Sequence, residues 1–127
     1  MNKLPLILSL IVGAMFLFFG VSKFIENPNI IFTIIADNSG ISLFEPGIRI
    51  LTGIAELGAG LLILIPKTRQ LGALAGLAIV AGAIGFHLSP WLGISIPGMG
   101  HGLFITAVVL FVLNLLLLAV LRKGTTS

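Results

Sequence analysis

An acidic residue in the middle of an apolar segment is the first candidate for chemistry in this sequence. Glu56 is the ninth of the 18 residues from Ile48 to Ile65. A carboxylate at the centre of a membrane helix costs about 2.5–3.5 kcal/mol on insertion scales, so another group must compensate for it. Either Glu56 is a protonated or hydrogen-bonded link between helices, with Ser9 and Asn114 at a similar depth, or it handles protons or binds a ligand.

Basic and imidazole side chains are expected at one level above this carboxylate. Arg49 precedes Glu56 by seven residues, which in a helix places both on one face, about 10 Å apart along the axis. Lys23 and His87 end the first and third apolar segments. This set predicts a pocket for a polar head group with a lipid-like tail, a description that quinones fit. Weaker candidates for the pocket are Thr52, Thr106, His101 and Asn114.

The basic residues also have a purely structural interpretation. Lys23 and Arg49 can extend to lipid head groups, or they can pair with Glu26 and Glu45. The sequence leaves both interpretations open.

No metal and no covalent cofactor are expected. The chain has no cysteine, which excludes thiolate-ligated metals and iron–sulfur clusters. His87 and His101 match no zinc-binding spacing and flank a single loop, which also argues against a bis-histidine haem. The seven Lys and Arg residues are scattered along the chain, so nucleic acid is not an expected partner.

The composition predicts which elements position these residues. With 57% hydrophobic and 9% charged residues, the chain cannot cover a water-facing surface, and the lipid bilayer is its expected surrounding. Four apolar segments are each long enough to cross a membrane as a helix. We predict an all-α integral membrane four-helix bundle, one domain over residues 1–127, with helices at about 4–21, 48–65, 71–88 and 103–121.

Small residues recur in these segments at spacings typical of helix packing in lipid. They include Gly53 and Gly60, a GxxxG pair at Gly72 and Gly76, and the later group Ala75, Gly82 and Ala83. The favoured interpretation of all of them is a tightly packed bundle, within one subunit or between subunits of an oligomer.

Basic residues predict the orientation of the bundle. Five of them, at the two chain ends and in the Lys67–Arg69 turn, would lie on one side, against two, Lys23 and Arg49, on the other. The positive-inside rule then places both termini in the cytoplasm and the two longer loops outside. In the first loop, Pro28–Ala36 is predicted to lie along the membrane surface as a short helix that the Asp37–Gly40 segment ends. Trp91 in the second loop is expected to be an interfacial anchor.

Three further sequence elements form a pattern: Phe19-Gly20-Val21-Ser22-Lys23-Phe24, the run Gly53–Leu64 around Glu56 with Lys67-Thr68-Arg69 after it, and Ala83-Ile84-Gly85-Phe86-His87. Together they resemble the DoxX family, small four-helix proteins of bacterial membranes. The resemblance covers nearly the whole chain and implies an inner-membrane, multi-pass protein of the redox systems with which such proteins associate. It carries over Lys23, Glu56 and His87 as family-pattern positions. Many members also have an arginine early in the first helix, whereas here only Lys3 precedes that helix.

The function predicted from these observations is a membrane subunit or accessory protein of a redox system that binds a quinone, or a similar amphipathic ligand, in the outer half of the bundle. Because the chain has no redox group of its own, an enzymatic role would need a soluble or membrane-bound redox partner. The alternative is a non-enzymatic small transporter or helper protein in which Glu56 is structural or couples proton movement.

The orientation gives the first testable prediction. In a chain without cysteine, single cysteines at positions 38 and 68 can be labelled separately with a membrane-impermeant thiol reagent added to intact cells. We expect labelling at position 38 only, because Asn38 would lie outside and Thr68 in the cytoplasm. Labelling of position 68 but not of position 38 would show that the orientation is reversed.

Overall fold

The computed structural model describes residues 3–26 and 29–126. Within these residues the chain forms five α-helices, and the four long ones are long and apolar enough to cross a membrane. The helices are α1 (Leu4–Ile25), α2 (Ile30–Ser39), α3 (Gly47–Leu64), α4 (Arg69–Leu88) and α5 (Gly102–Thr126). Short 3₁₀ turns at Ser42–Phe44 and Pro66–Thr68 precede α3 and α4. The predicted all-α, multi-pass membrane fold is therefore confirmed.

The four long helices form an up-and-down bundle in which every neighbour is antiparallel. Helix α1 packs against α3 and α5, and α4 packs against the same two helices from the opposite corner. The start of α1 and the end of α5 therefore lie at one end of the bundle, with the tight turn between α3 and α4. We call this the short-turn end, and the opposite end, where α1 and α4 finish, the long-loop end.

Two helix boundaries differ from the sequence prediction in ways that affect the site. Helix α1 continues past Val21 to Ile25, because no proline or glycine interrupts it there, and this places Lys23 inside its last turn. Helix α2 begins at Ile30 and continues through Asp37 to Ser39, so it ends within the predicted Asp37–Gly40 break. The break comes at Gly40, whose left-handed φ of 76° ends the helix. Pro28, where the predicted segment began, lies outside the described residues.

The close-packed core fills the short-turn half of the bundle. Val12, Phe16, Ile63 and Leu117 are all fully buried there, while Leu and Ile side chains on the outer faces are exposed to what would be lipid. Glycines allow the helices to approach this closely. A Cβ added at Gly72 would lie 2.6 Å from the backbone nitrogen of Ile63, which is closer than packed atoms can be.

Substitution of glycine in α4 tests the packing. We expect Gly72→Ala to lower the free energy of unfolding by about 1–3 kcal/mol, because the added methyl group forces α4 away from the α3 backbone. Gly85→Ala in the same helix is the matched control, since a Cβ there meets nothing within 4 Å. Thermal unfolding in detergent measures both variants, and equal melting temperatures would contradict the close α3–α4 contact.

Candidate ligand-binding site

A cavity of about 730 Å³ occupies the long-loop half of the bundle. All five helices contribute to its wall, together with Leu92 and Met99 from the loop before α5. Phe18 also lines it and is 69% exposed, so the cavity extends to the lipid-facing surface. Its wall is mainly apolar, which is typical of small-molecule sites of this size. The polar residues of the wall are Ser22, Lys23, Glu26, Asn29, Thr52, Glu56, His87 and Thr106.

Small side chains on α4 leave this volume open. Ala78, Gly82 and Ala83 line the cavity, and a Cβ added at Gly82 would meet nothing within 4 Å. The spacing of Gly82 and Ala83 predicted tight helix packing, and the structure shows instead that they form part of the cavity wall. Because close approach depends on what faces a small residue, the residue type alone could not separate the two outcomes.

Lys23 and Glu56 form an ion pair inside the cavity. Lys23 Nζ lies 3.0 Å from Glu56 Oε1, and the two side chains are only 15% and 10% exposed. Lys23 Nζ also lies 3.4 Å from the carbonyl oxygen of Phe19 and 5.8 Å from the centre of the Phe19 ring. Lys23 therefore bends from the end of α1 toward the middle of α3, and it supplies the compensation that an intramembrane carboxylate requires.

Arg49 lies outside the cavity wall and is 3% exposed. Its Nε donates to both carboxylate oxygens of Glu45, at 2.7 and 2.9 Å, and its guanidinium also donates to the carbonyl oxygen of Lys23. Glu45 Oε2 in turn accepts the backbone N–H of Asn29 at 3.2 Å. The Asn29 side chain caps the start of α2. Arg49 therefore connects α3 to the end of α1 directly and to the start of α2 through Glu45.

His87 lines the cavity from the last turn of α4 and is 5% exposed. Its Nδ1 lies 2.9 Å from the carbonyl oxygen of Gly93. A carbonyl oxygen can only accept, so Nδ1 must carry the hydrogen. The ring also packs edge-on against Phe104 of α5, with ring centres 5.6 Å apart, so two neighbours fix its orientation.

The weaker candidates divide between the cavity and its surroundings. Thr52 and Thr106 line it, and each donates its hydroxyl hydrogen to a carbonyl one turn earlier, at 2.8 Å. His101 is exposed and does not belong to the wall. Asn114 is fully buried, and neither its amide nitrogen nor its carbonyl oxygen has a partner among the described residues. Its nitrogen lies toward Gly76, 3.1 Å from where a Cβ there would be, in the closed half of the bundle.

One of the two interpretations of Glu56 was a hydrogen-bonded link between helices, with Ser9 and Asn114 at a similar depth, and the structure shows neither residue bonded to Glu56. Glu56 pairs with Lys23, and Ser9 donates instead to the Pro5 carbonyl of its own helix. Residue counts along each helix predict how deep a Cα lies in the membrane. They do not predict where a long side chain ends, and the lysine side chain is long enough to extend inward from the end of α1.

An aromatic cluster over the cavity was not predicted from the sequence. Phe44, Phe86 and Trp91 contact one another, with ring centres 5.6–6.5 Å apart, and the Trp91 carbonyl accepts from Asn38 at 2.8 Å. Trp91 was expected only to anchor the loop at the membrane surface. The cluster and this hydrogen bond join the two long loops, so that α2 and the second loop cover the cavity together.

The fold and the site define a multi-pass four-helix membrane protein with a lipid-accessible cavity around a buried ion pair. Comparisons with family models, curated proteins and solved structures found no match to this chain. Within residues 3–26 and 29–126, no group of three or more His, Asp or Glu side chains could hold a metal ion.

The ion pair gives a prediction for stability. Glu56→Gln or Lys23→Met alone should lower the free energy of unfolding by about 3–5 kcal/mol, because each leaves one buried charge without its partner. The double variant should regain most of this loss, since no unpaired charge remains. Chemical or thermal unfolding of the four proteins measures the coupling between the two residues.

Glu26→Gln is the matched control, because Glu26 also lines the cavity but is exposed. We expect it to change stability by less than about 1 kcal/mol. If the two single variants were as stable as the parent protein, the ion pair would not hold α1 to α3.

Proposed function

We propose that this protein binds the head group of a quinone, or of a similar amphipathic ligand, and serves as a membrane subunit or accessory protein of a redox system. The observation that carries the proposal is the coincidence of an open apolar cavity with Lys23, Glu56 and His87 in its wall. An apolar chamber with a few polar groups suits a ring with polar substituents. The opening beside Phe18 would let an isoprenoid tail remain in the lipid.

The resemblance to the DoxX family supports the redox part of the proposal. Lys23, Glu56 and His87 are the residues that match the family pattern. They come from three different helices, and all of them line the cavity. We further propose a bacterial inner-membrane location with both termini in the cytoplasm, so that the cavity would open in the outer leaflet. A partner protein would supply or remove the electrons, because the chain has no cysteine and carries no redox group of its own.

The direct contact between Lys23 and Glu56 favours a second candidate function, that of a small transporter or helper protein. Lys23 already neutralises Glu56 at 3.0 Å, as it would if the pair only held α1 to α3 in a small transporter or helper protein. The two functions differ in whether a quinone occupies the cavity. Mass spectrometry of small molecules that copurify after gentle extraction would identify the native occupant.

Filling the cavity tests the proposed function directly. We expect the parent protein in lipid nanodiscs to bind decylubiquinone, and Gly82→Leu to weaken this binding at least tenfold. The added side chain would enter space that Gly82 leaves free, so the fold should be preserved. Titration with fluorescence detection at Trp91, the single tryptophan of the chain, measures the affinity.

Gly85→Leu is the matched control, since Gly85 is an exposed glycine of the same helix with open space around it and lies outside the cavity wall. It should bind decylubiquinone as the parent does. Failure of the parent protein to bind this probe, or an equal effect of both substitutions, would overturn the proposal.

A further inference from the structure

The imidazole of His87 presents an unused acceptor to the cavity. Its Nδ1 must donate to the Gly93 carbonyl oxygen, so in the neutral ring Nε2 carries a lone pair and no hydrogen. Nε2 has no hydrogen-bond partner among the described residues. Nε2 is not fully enclosed by the described residues either, so it remains accessible. Because His87 lines the cavity, a ligand there can reach this nitrogen.

The donors of the cavity are concentrated elsewhere. The hydroxyls of Ser22, Thr52 and Thr106 each donate to a carbonyl of their own helix, which leaves them as acceptors. The ammonium of Lys23 has three hydrogens, and its two contacts are with Glu56 and the Phe19 carbonyl oxygen, so at least one hydrogen remains for a ligand. The α4 side of the cavity therefore accepts a hydrogen bond, and the α1 side can donate one.

An acceptor at His87 and a donor at Lys23 would interact differently with the oxidised and reduced forms of a quinone. A quinone ring has two carbonyl oxygens, which only accept, and one of them beside Nε2 would face a second lone pair. A hydroquinone has two hydroxyl groups, each of which can donate and accept. A hydroxyl group can donate to His87 Nε2, and its oxygen can still accept a hydrogen bond as a carbonyl oxygen does.

We infer that the site selects the reduced ligand, a hydroquinone or another phenol with an alkyl tail, through a hydrogen bond from its hydroxyl group to His87 Nε2. This inference rests on the proposed function, which it deepens by naming the ligand's chemical class and redox state. His87 is then the residue that determines specificity, and the Gly93 carbonyl is the group that fixes its tautomer.

The experiment compares decylubiquinol with decylubiquinone under anaerobic conditions at pH 8, with the protein in nanodiscs. We expect the reduced form to bind the parent protein at least tenfold more tightly. His87→Asn should abolish this preference. Its side-chain amide can still donate to the Gly93 carbonyl as Nδ1 does, but nothing replaces Nε2.

His101→Asn is the matched control and should retain the preference, because His101 is exposed and outside the cavity wall. In a second pair of probes, 4-octylphenol and 4-octylanisole, a methyl group replaces the hydroxyl hydrogen and removes the donor, so the phenol should bind the parent protein more tightly. This comparison remains decisive if His87→Asn does not fold.

Three results would overturn the inference. Equal binding of both redox forms to the parent protein would refute the selectivity but leave the proposed quinone site intact. Retention of the preference in a folded His87→Asn variant would place the selectivity at another residue. Binding of neither form would overturn the inference and the proposed function together.

Discussion

The requirement that a charge within the membrane be paired inside the protein shapes the long-loop half of this bundle. Glu56 is in the middle of α3, and among the described residues its ionic partner is Lys23, in the last turn of α1. The pair can form only if the two helices are very close. A Cβ at Gly53 would lie 2.8 Å from the Lys23 Cβ, and one at Gly20 would lie 2.7 Å from Leu57. Glycines therefore flank the ion pair at the contact between the helices and make it geometrically possible.

Arginines at the beginnings of α3 and α4 meet a related requirement, because the last carbonyl groups of a helix have no partner within it. Arg49 donates to the carbonyl oxygen of Lys23 at the end of α1. Arg69 donates to the carbonyl oxygens of Ile63 and Leu64 at the end of α3, at 2.8 and 3.3 Å. In both cases a cation also lies at the negative end of a helix dipole. Lys23 is thus attached to α3 twice, through its side chain and through its backbone.

The sequence predicted the parts of this structure that depend on local pattern. The lengths of the apolar segments predicted four helices able to cross a membrane. The position of Glu56 in the middle of one of them predicted a buried polar contact, because a carboxylate there needs a compensating group. The partner of Glu56 could not be predicted, because Lys23, Arg49 and His87 were expected at one level from residue counts alone. Their side chains extend to three different groups: Glu56, Glu45 and the Gly93 carbonyl. Which group a long side chain reaches depends on helix rotation and loop path, and neither is encoded in spacing.

The contrast between the two halves of the bundle is itself an argument for a ligand. At the short-turn end, Gly72 and Gly76 are in contact with neighbouring helices, and the interior is filled. At the long-loop end, a Cβ added at Gly82 would have no atom within 4 Å, and a cavity of about 730 Å³ remains open. The side chains around this open volume have fewer contacts with protein than those of the filled half, and a larger residue at position 82, which is exposed, would supply some of the missing contacts. A bundle in which Glu56 and Lys23 only held helices together would gain stability from such a residue, whereas a bundle that binds a ligand around this ion pair needs the space.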